Sequence, residues 1–160
     1  MIITKNIIKT TILFLIVCLV MLGDLSAQDA KEIKNLVENQ NYVFIAQTAL
    51  PATGSSRPLS PEYTVKVSKD TIISDLPYFG RAYSAPIGKT DGGIKFTSNT
   101  FEYTKEIHKK GGWDILIKPK DASEVQQLSF SISENGYSTL KVISTNRQAI
   151  SFYGYIKEDK

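Results

Sequence analysis

The chain has 160 residues, of which 42% are hydrophobic, and its 19 basic and 16 acidic side chains give a formal net charge of +3. That length suffices for one domain with a hydrophobic core and is too short for two. The near-balanced charge, with both signs scattered along the chain, gives no reason to expect nucleic acid or an anionic membrane surface as a partner.

The N-terminal segment has the three parts of a secretory signal peptide. Residues 1–11 carry two lysines and no acidic side chain, residues 12–22 form an unbroken apolar run, and small and polar residues follow up to Ala27. The apolar run spans only ~17 Å as a helix, about half of the hydrocarbon thickness of a bilayer. We therefore expect a cleaved signal peptide over residues 1–27, a mature chain that begins at Gln28 without a membrane span, and export to the periplasm or the extracellular space.

Cys18 is the only cysteine of the chain and lies inside this apolar run. A lipid-attachment cysteine would stand at the end of such a run, after a leucine and small residues, whereas apolar residues flank Cys18 on both sides. Cleavage would leave no thiol, so we expect neither disulfides nor cysteine-based metal or catalytic chemistry. The mature chain would keep 17 basic and 15 acidic side chains, so its charge balance changes little.

A short helix is predicted at the start of the mature chain. Asp29 can cap this helix at its N-terminus. An apolar stripe with the i, i+3, i+4 spacing of one helix face is formed by Ile33, Leu36 and Val37. We therefore divide the mature chain into an N-terminal helical segment over residues 28–41 and an antiparallel β domain over residues 42–160.

The β domain is predicted from apolar residues that alternate with serine, threonine and lysine, as in residues 63–68 and 128–133. Residues 51–61 hold three prolines, a glycine and three serines, which is typical of a loop. The Asn135-Gly136 dipeptide between two alternating runs predicts a type I′ hairpin turn, in which both residues have positive φ.

These patterns make the chain mainly β, with roughly eight or nine strands and one short N-terminal helix. No helical crossover separates the strands, so the sheet is expected to be antiparallel. An antiparallel meander of this size can close into a small barrel or form a two-sheet sandwich, and we expect the helix at an opening or an edge.

The segment between residues 76 and 93 lacks periodicity and predicts an ordered loop. Its first eight residues, Leu76-Pro77-Tyr78-Phe79-Gly80-Arg81-Ala82-Tyr83, resemble the signature of a family of uncharacterised bacterial cell-envelope proteins that share a domain of unknown function. Three further stretches match that family in order: Gly111 to Asp114, Phe130 to Val142, and Asn146 to Gly154. The resemblance implies an exported bacterial protein, periplasmic or surface-facing, with a mostly β domain. It implies no activity, so no catalytic residue is carried over.

Local chemistry predicts how this eight-residue stretch is built. Pro77 lacks an amide donor and should end the preceding strand. Gly80 stands between two bulky residues and is expected to allow a sharp turn there. On that basis Phe79 should point into the core and Arg81 should point outwards.

Catalytic chemistry has few candidate residues in this sequence. His108 is the only histidine and lies on a predicted lysine-rich hairpin without a nucleophile pattern nearby, so no Ser-His-Asp arrangement is expected. With one histidine, no mature thiol and no calcium-loop spacing, we expect no metal site and no cofactor. Glu102, Glu106 and Asp114 leave a carboxylate-based, glycosidase-like hydrolase as an alternative, although Thr104 on the same strand face indicates a solvated surface.

The sequence suggests six ligand- or partner-binding residues: Tyr78, Phe79, Arg81, Tyr83, Trp113 and Arg147. A guanidinium beside aromatic residues can hold an anionic group, or it can tie loops to backbone carbonyls. The aromatic residues can likewise plug the core or line a ligand site.

We therefore predict a non-catalytic envelope protein that binds a small apolar or amphipathic ligand, or a protein partner, near residues 76–93. An inhibitor-like interaction module is a further alternative. The sequence leaves open whether a barrel would be filled or hollow, and in which oligomeric state it works.

Overall fold

The computed structural model of the chain describes residues 30–83, 92–109 and 111–159. The predicted signal peptide, the capping Asp29, residues 84–91 of the predicted loop and Lys110 lie outside the described residues. Within these ranges the chain forms a helix, α1, over residues 30–39 and then ten strands. The strands are β1 (Tyr42–Pro51), β2 (Arg57–Pro58), β3 (Thr64–Val67), β4 (Ile72–Leu76), β5 (Ile94–Ser98), β6 (Phe101–Ile107), β7 (Trp113–Pro119), β8 (Val125–Ile132), β9 (Tyr137–Ser144) and β10 (Ile150–Lys157).

The strands form one antiparallel sheet in the order β5-β4-β3-β1-β10-β9-β8-β7-β6, and β2 pairs with β1 outside this path. The two edge strands, β5 and β6, are consecutive in sequence and are joined by only Asn99 and Thr100. The sheet therefore curls into a nearly closed barrel. The predicted mainly β, antiparallel fold with one short helix is confirmed; of the two predicted forms, barrel and sandwich, the sheet takes the barrel, with ten strands in the described residues in place of the predicted eight or nine. The short strand β2 lies inside the proline-rich segment that we predicted to be a loop.

Side chains from alternate strand positions fill the interior of the barrel. The rings of Phe44 and Phe130 meet edge-on with their centroids 5.7 Å apart, and Tyr42 meets Phe130 in the same way at 6.2 Å. These three residues are at most 2% exposed. Burial raises the pKa of Tyr42 and of the facing Tyr103, so the interior phenols stay neutral.

Helix α1 packs at the end of the barrel where β8 turns into β9. Its predicted apolar stripe is buried in the core, as expected for a helix that covers a sheet: Ile33, Leu36 and Val37. A Cβ atom added to Gly136 would lie 2.8 Å from Cδ1 of Ile33, which places the helix directly against the β8–β9 turn. In the described part of the chain, no helix is long and apolar enough to span a bilayer.

The β8–β9 turn contains the predicted hairpin, but the predicted type I′ geometry is wrong. Gly136 has a φ of 83°, whereas Asn135 does not have a positive φ. The amide of Gly136 donates to the carbonyl of Ser133 at 2.9 Å, and the amide of Ser133 donates to the carbonyl of Tyr137 at 2.9 Å. The connection is therefore a three-residue loop that ends in a left-handed glycine. The Ser133 hydroxyl bonds to Asn135 and to the Tyr137 carbonyl, which favours this longer loop.

Asp121, in the loop between β7 and β8, holds the link between the two edge strands. Its carboxylate accepts hydrogen bonds from the hydroxyl of Ser98 and from the amides of Asn99 at 2.8 Å and Thr100 at 3.2 Å. The amide of Lys120 donates to the carbonyl of Thr100 at 2.8 Å. The Ser98 hydroxyl contributes most to holding the pKa of Asp121 below its ordinary value, and the two amides add to this effect.

We expect Asp121→Asn to destabilise the fold at neutral pH and to have little effect in acid. The folded-state pKa lies below the unfolded-state pKa, so the carboxylate stabilises the fold above the unfolded-state value. This contribution is lost as the pH falls through the folded-state value. Urea unfolding of the wild type and of Asp121→Asn, repeated at steps from about pH 7 to about pH 2.5, measures the difference in their free energies of unfolding.

Glu102→Gln is the control for Asp121→Asn. The pKa of Glu102 is also lowered, chiefly by the hydrogen bond and charge of Lys120, with Nζ 3.0 Å from the carboxylate. This exposed pair lacks the backbone donors that Asp121 has. The pH-dependent loss of stability in Glu102→Gln should therefore be smaller than in Asp121→Asn. A gap between wild type and Asp121→Asn that stays constant with pH would contradict the role given to this carboxylate.

Candidate functional site

Residues 77–83, here called the strap, cross the end of the barrel opposite α1. β4 ends at Leu76, as Pro77 predicted. The strap then pairs with the turn between β9 and β10. The amide of Tyr83 donates to the carbonyl of Asn146 at 2.7 Å, and the amide of Gln148 donates to the carbonyl of Arg81 at 3.1 Å. These bonds fix the strap backbone across the open end of the sheet.

The half-buried Tyr78 strengthens this attachment. Its hydroxyl lies 2.9 Å from the carbonyl oxygen of Arg81 and 3.2 Å from that of Gln148. Burial raises the pKa of Tyr78, an effect that the positive charge of Arg147 opposes, so the phenol remains a neutral donor. A Cβ atom on Gly80 would lie 2.7 Å from this hydroxyl. Gly80 does not have a positive φ. The backbone nevertheless bends at Gly80, as expected, and the absence of a side chain there also leaves room for Tyr78.

Arg147 is buried beneath the strap, with its side chain 6% exposed. One guanidinium nitrogen donates to the carbonyl oxygens of Gly92 at 2.6 Å and Gly93 at 3.1 Å, and another lies 3.3 Å from Oε2 of Glu124. The guanidinium carbon also lies 5.2 Å from the centroid of the Tyr78 ring. Arg147 therefore connects the β9–β10 turn to the strap, to the residues before β5 and to the loop before β8. The sequence left open whether this arginine holds an anionic ligand or ties loops to backbone carbonyls. In the structure its guanidinium ties the loops.

The strap holds other side chains towards solvent. Arg81 is exposed and Tyr83 is 72% exposed. Phe79 is only half-buried: it packs against the core, while the guanidinium carbon of Arg57 lies 4.7 Å from its ring centroid. The outward position expected for Arg81 is confirmed, and the inward position of Phe79 holds in part. The strap surface is formed by Arg57, Phe79, Arg81 and Tyr83.

Arg57 was not among the residues that the sequence suggested. It lies in the proline-rich segment, and no local pattern distinguishes it from a solvated loop arginine. Only the pairing of β2 with β1, which sets Arg57 opposite Ala49, carries it to Phe79.

Trp113 lies apart from the strap. It is 6% exposed and pairs with Ile107 and Ile132 at the end of the barrel that α1 covers. The strap, by contrast, contacts the turn at the other end of β9. Of the six residues suggested by the sequence, the structure brings five to the strap end and places Trp113 in the core.

The three acids of the hydrolase alternative are exposed on the outer faces of β6 and β7. Glu106 and Asp114 are direct cross-strand neighbours, so they stand side by side on the sheet. Asp114 lies 2.6 Å from Nε2 of His108, and Glu102 pairs with Lys120. Across residues 30–83, 92–109 and 111–159, no cluster of three or more histidine, cysteine or acidic side chains could hold a metal ion.

A cavity of about 180 Å³ opens beside Arg147, between β5 and the loop before β8. Its wall includes Ile94, Phe96, Val125 and Ser144. Small-molecule sites usually measure about 300–1,000 Å³. This cavity is therefore too small for most ligands of the apolar or amphipathic kind predicted for the mouth.

Comparison with known proteins gives a family and a fold. A family model described as a domain of unknown function, DUF4251, matches residues 24–156. A solved structure, the crystal structure of a DUF4251 family protein from Bacteroides eggerthii DSM 20697, is similar with a TM-score of 0.66 and 14% sequence identity. The likeness covers 82% of this chain and 89% of that one, and at this identity it speaks for the fold alone. No curated protein matches the chain.

Proposed function

The chain belongs to the DUF4251 family, a domain of unknown function, and we propose that it acts as an exported, non-catalytic binding protein of the bacterial cell envelope. The strap surface binds an acidic segment of a partner protein. One observation carries this proposal: the strap backbone is pinned by hydrogen bonds, yet the side chains of Arg81 and Tyr83 are exposed. A loop fixed on a rigid scaffold presents its side chains without a further cost of ordering the backbone on binding.

The side chains of the strap surface favour a protein partner with acidic residues. Tyrosine and arginine are among the residues most enriched at energetically important positions of interfaces. Arg57 and Arg81 supply two guanidinium groups, which pair with carboxylates through two parallel hydrogen bonds. The filled barrel and the small cavity at the strap end further favour surface binding over a ligand held inside.

Export is part of the proposal and rests on the N-terminal pattern of the sequence. We expect the protein recovered from outside the cytoplasm to begin within a residue or two of Gln28. Intact-mass measurement of that protein decides the point. A chain that still begins at Met1, or one that carries a lipid on Cys18, would contradict signal-peptide cleavage as proposed.

Site-specific photo-crosslinking in the producing bacterium tests the binding proposal. A photoreactive residue replaces Tyr83 in one variant. In the control it replaces Ile107, which is 73% exposed, nearly the same as Tyr83, but lies at the other end of the barrel. We expect a protein adduct at position 83 and none at position 107.

Charge reversal by Arg81→Glu is then added to the position-83 variant. The adduct yield should fall about tenfold, which corresponds to ~1.4 kcal/mol of binding free energy. Equal adducts at the two positions, or a yield that Arg81→Glu leaves unchanged, would refute binding at the strap surface.

A further inference from the structure

The outer face of β8, β9 and β10 carries a groove far from the strap. The sheet register sets Ser131, Thr139 and Tyr153 in one cross-strand row, and Tyr137 lies in the next row opposite Tyr155. The groove has a volume of about 430 Å³, within the range of about 300–1,000 Å³ that is usual for ligand sites. Tyr137 directly follows the β8–β9 turn, whereas the strap contacts the turn at the other end of β9. We call this concavity the tyrosine groove.

Two exposed aromatic rings mark the tyrosine groove. Tyr137 is 63% exposed and Tyr153 is 52% exposed. Large hydrophobic side chains with this much exposure are uncommon in the described part of the chain, and these two line the same concavity. Both rings are therefore available as apolar surfaces for a bound molecule.

The rest of the groove offers neutral hydrogen-bonding groups. In the described part of the chain, the hydroxyls of Ser131, Thr139, Tyr137 and Tyr153 make no hydrogen bond within the protein, so all four can bond to a ligand. Among the described residues that line the groove, His108 is the one ionisable side chain besides the tyrosines, and its Nε2 lies 2.6 Å from Asp114. The groove therefore presents rings and hydroxyls with little net charge.

This combination matches the chemistry of a neutral sugar chain. A pyranose has an apolar face of C–H groups, which stacks on an aromatic ring, and a rim of hydroxyls, which exchange hydrogen bonds with serine, threonine and tyrosine hydroxyls. A purely apolar ligand would displace water from these protein hydroxyls and leave them without hydrogen-bond partners. A phosphate or carboxylate ligand would meet no unpaired cation among the lining residues that the structure describes. We propose that the tyrosine groove is a binding site for a neutral oligosaccharide.

The test uses the mature protein and a panel of neutral hexasaccharides built from glucose, mannose, galactose or N-acetylglucosamine with α or β linkages. Isothermal titration calorimetry should detect binding of at least one member, with a Kd between about 1 µM and 1 mM. Tyr153→Ala and Tyr137→Ala should each weaken that binding about tenfold or more. Tyr153→Phe keeps the ring and should retain most of the affinity.

Tyr83→Ala is the control, since Tyr83 is a tyrosine of even greater exposure that lies on the strap, and its replacement should leave sugar binding unchanged. The urea midpoint of every variant should stay at the wild-type value, because the replaced side chains are exposed. Failure of the whole panel to bind would overturn the proposal. Equal affinity of wild type and Tyr153→Ala, or a loss of affinity in Tyr83→Ala, would also overturn it. The proposed binding of a partner protein at the strap is independent of these results.

Discussion

Gly154→Ala should lower the free energy of unfolding by about 3 kcal/mol, at the upper end of the range for overpacked sites. Gly154 faces Ala46 where β1 bulges between Ala46 and Thr48, and the two backbones approach closely at this point. An added Cβ atom would overlap the carbonyl oxygen of Ile45 and would lie 3.0 Å from Cε2 of Phe44. Since the blocking atom belongs to the backbone of β1, no side-chain rotation can relieve the clash.

Gly92→Ala is the matched control for this substitution. No atom lies within 4 Å of a Cβ atom added to Gly92. The free energy of unfolding of Gly92→Ala, obtained from its urea midpoint, should therefore stay within about 0.5 kcal/mol of the wild-type value. Urea unfolding of the two variants and the wild type compares them directly. Equal midpoints for Gly154→Ala and Gly92→Ala would show that β1 and β10 do not approach as closely as described.

Arg147→Ala should cost about 3 kcal/mol, the lower end of the range for breaking a buried ion pair. The substitution removes the donor that reaches the carbonyl of Gly92 at 2.6 Å, and it removes the cation beside Glu124. Glu124 keeps partial access to water, which places the expected loss at that lower end. Arg147→Lys keeps the charge but cannot bond to several partners in one plane, so it should fall between alanine and wild type.

Arg81→Ala provides the contrast to Arg147→Ala. The side chain of Arg81 is exposed, so its removal should change the free energy of unfolding by less than about 1 kcal/mol. Urea midpoints of the three arginine variants measure this difference. If Arg81→Ala unfolds as easily as Arg147→Ala, the arginine of the strap is structural and the strap surface loses its main binding group.

Local sequence patterns were sufficient to predict the sheet but not the site. Alternation of apolar and polar residues is a property of neighbouring positions, so it predicted the strands and the apolar stripe of α1. Arg81 and Arg147 looked alike in sequence because each stands beside aromatic residues and a turn. The two arginines differ in partners that lie far away in the sequence, because Gly92 and Glu124 come into contact with Arg147 only in the folded barrel.

Two glycines show that local sequence patterns also predict only part of the backbone geometry. Gly136 was correctly predicted to have a positive φ, because the residues around it form a hairpin. The turn type was missed because it depends on the Ser133 hydroxyl, which the dipeptide pattern does not include. Gly154 stood in an ordinary strand pattern, and the need for glycine there arises from contact with β1, more than 100 residues earlier in the chain.

Amide hydrogen exchange of the mature protein, read residue by residue by NMR, tests most directly whether the strap is a rigidly held surface. The informative amides are those of Tyr83, bonded to Asn146, and Gln148, bonded to Arg81. In the wild type we expect both to exchange about a hundredfold or more slowly than in an unfolded chain, corresponding to a local opening free energy of ~2.7 kcal/mol. In Arg147→Ala both should lose this protection while the amide of Phe152 in β10 keeps it. Exchange of Tyr83 and Gln148 at unfolded-chain rates in the wild type would contradict the account of the strap as a pre-formed binding surface.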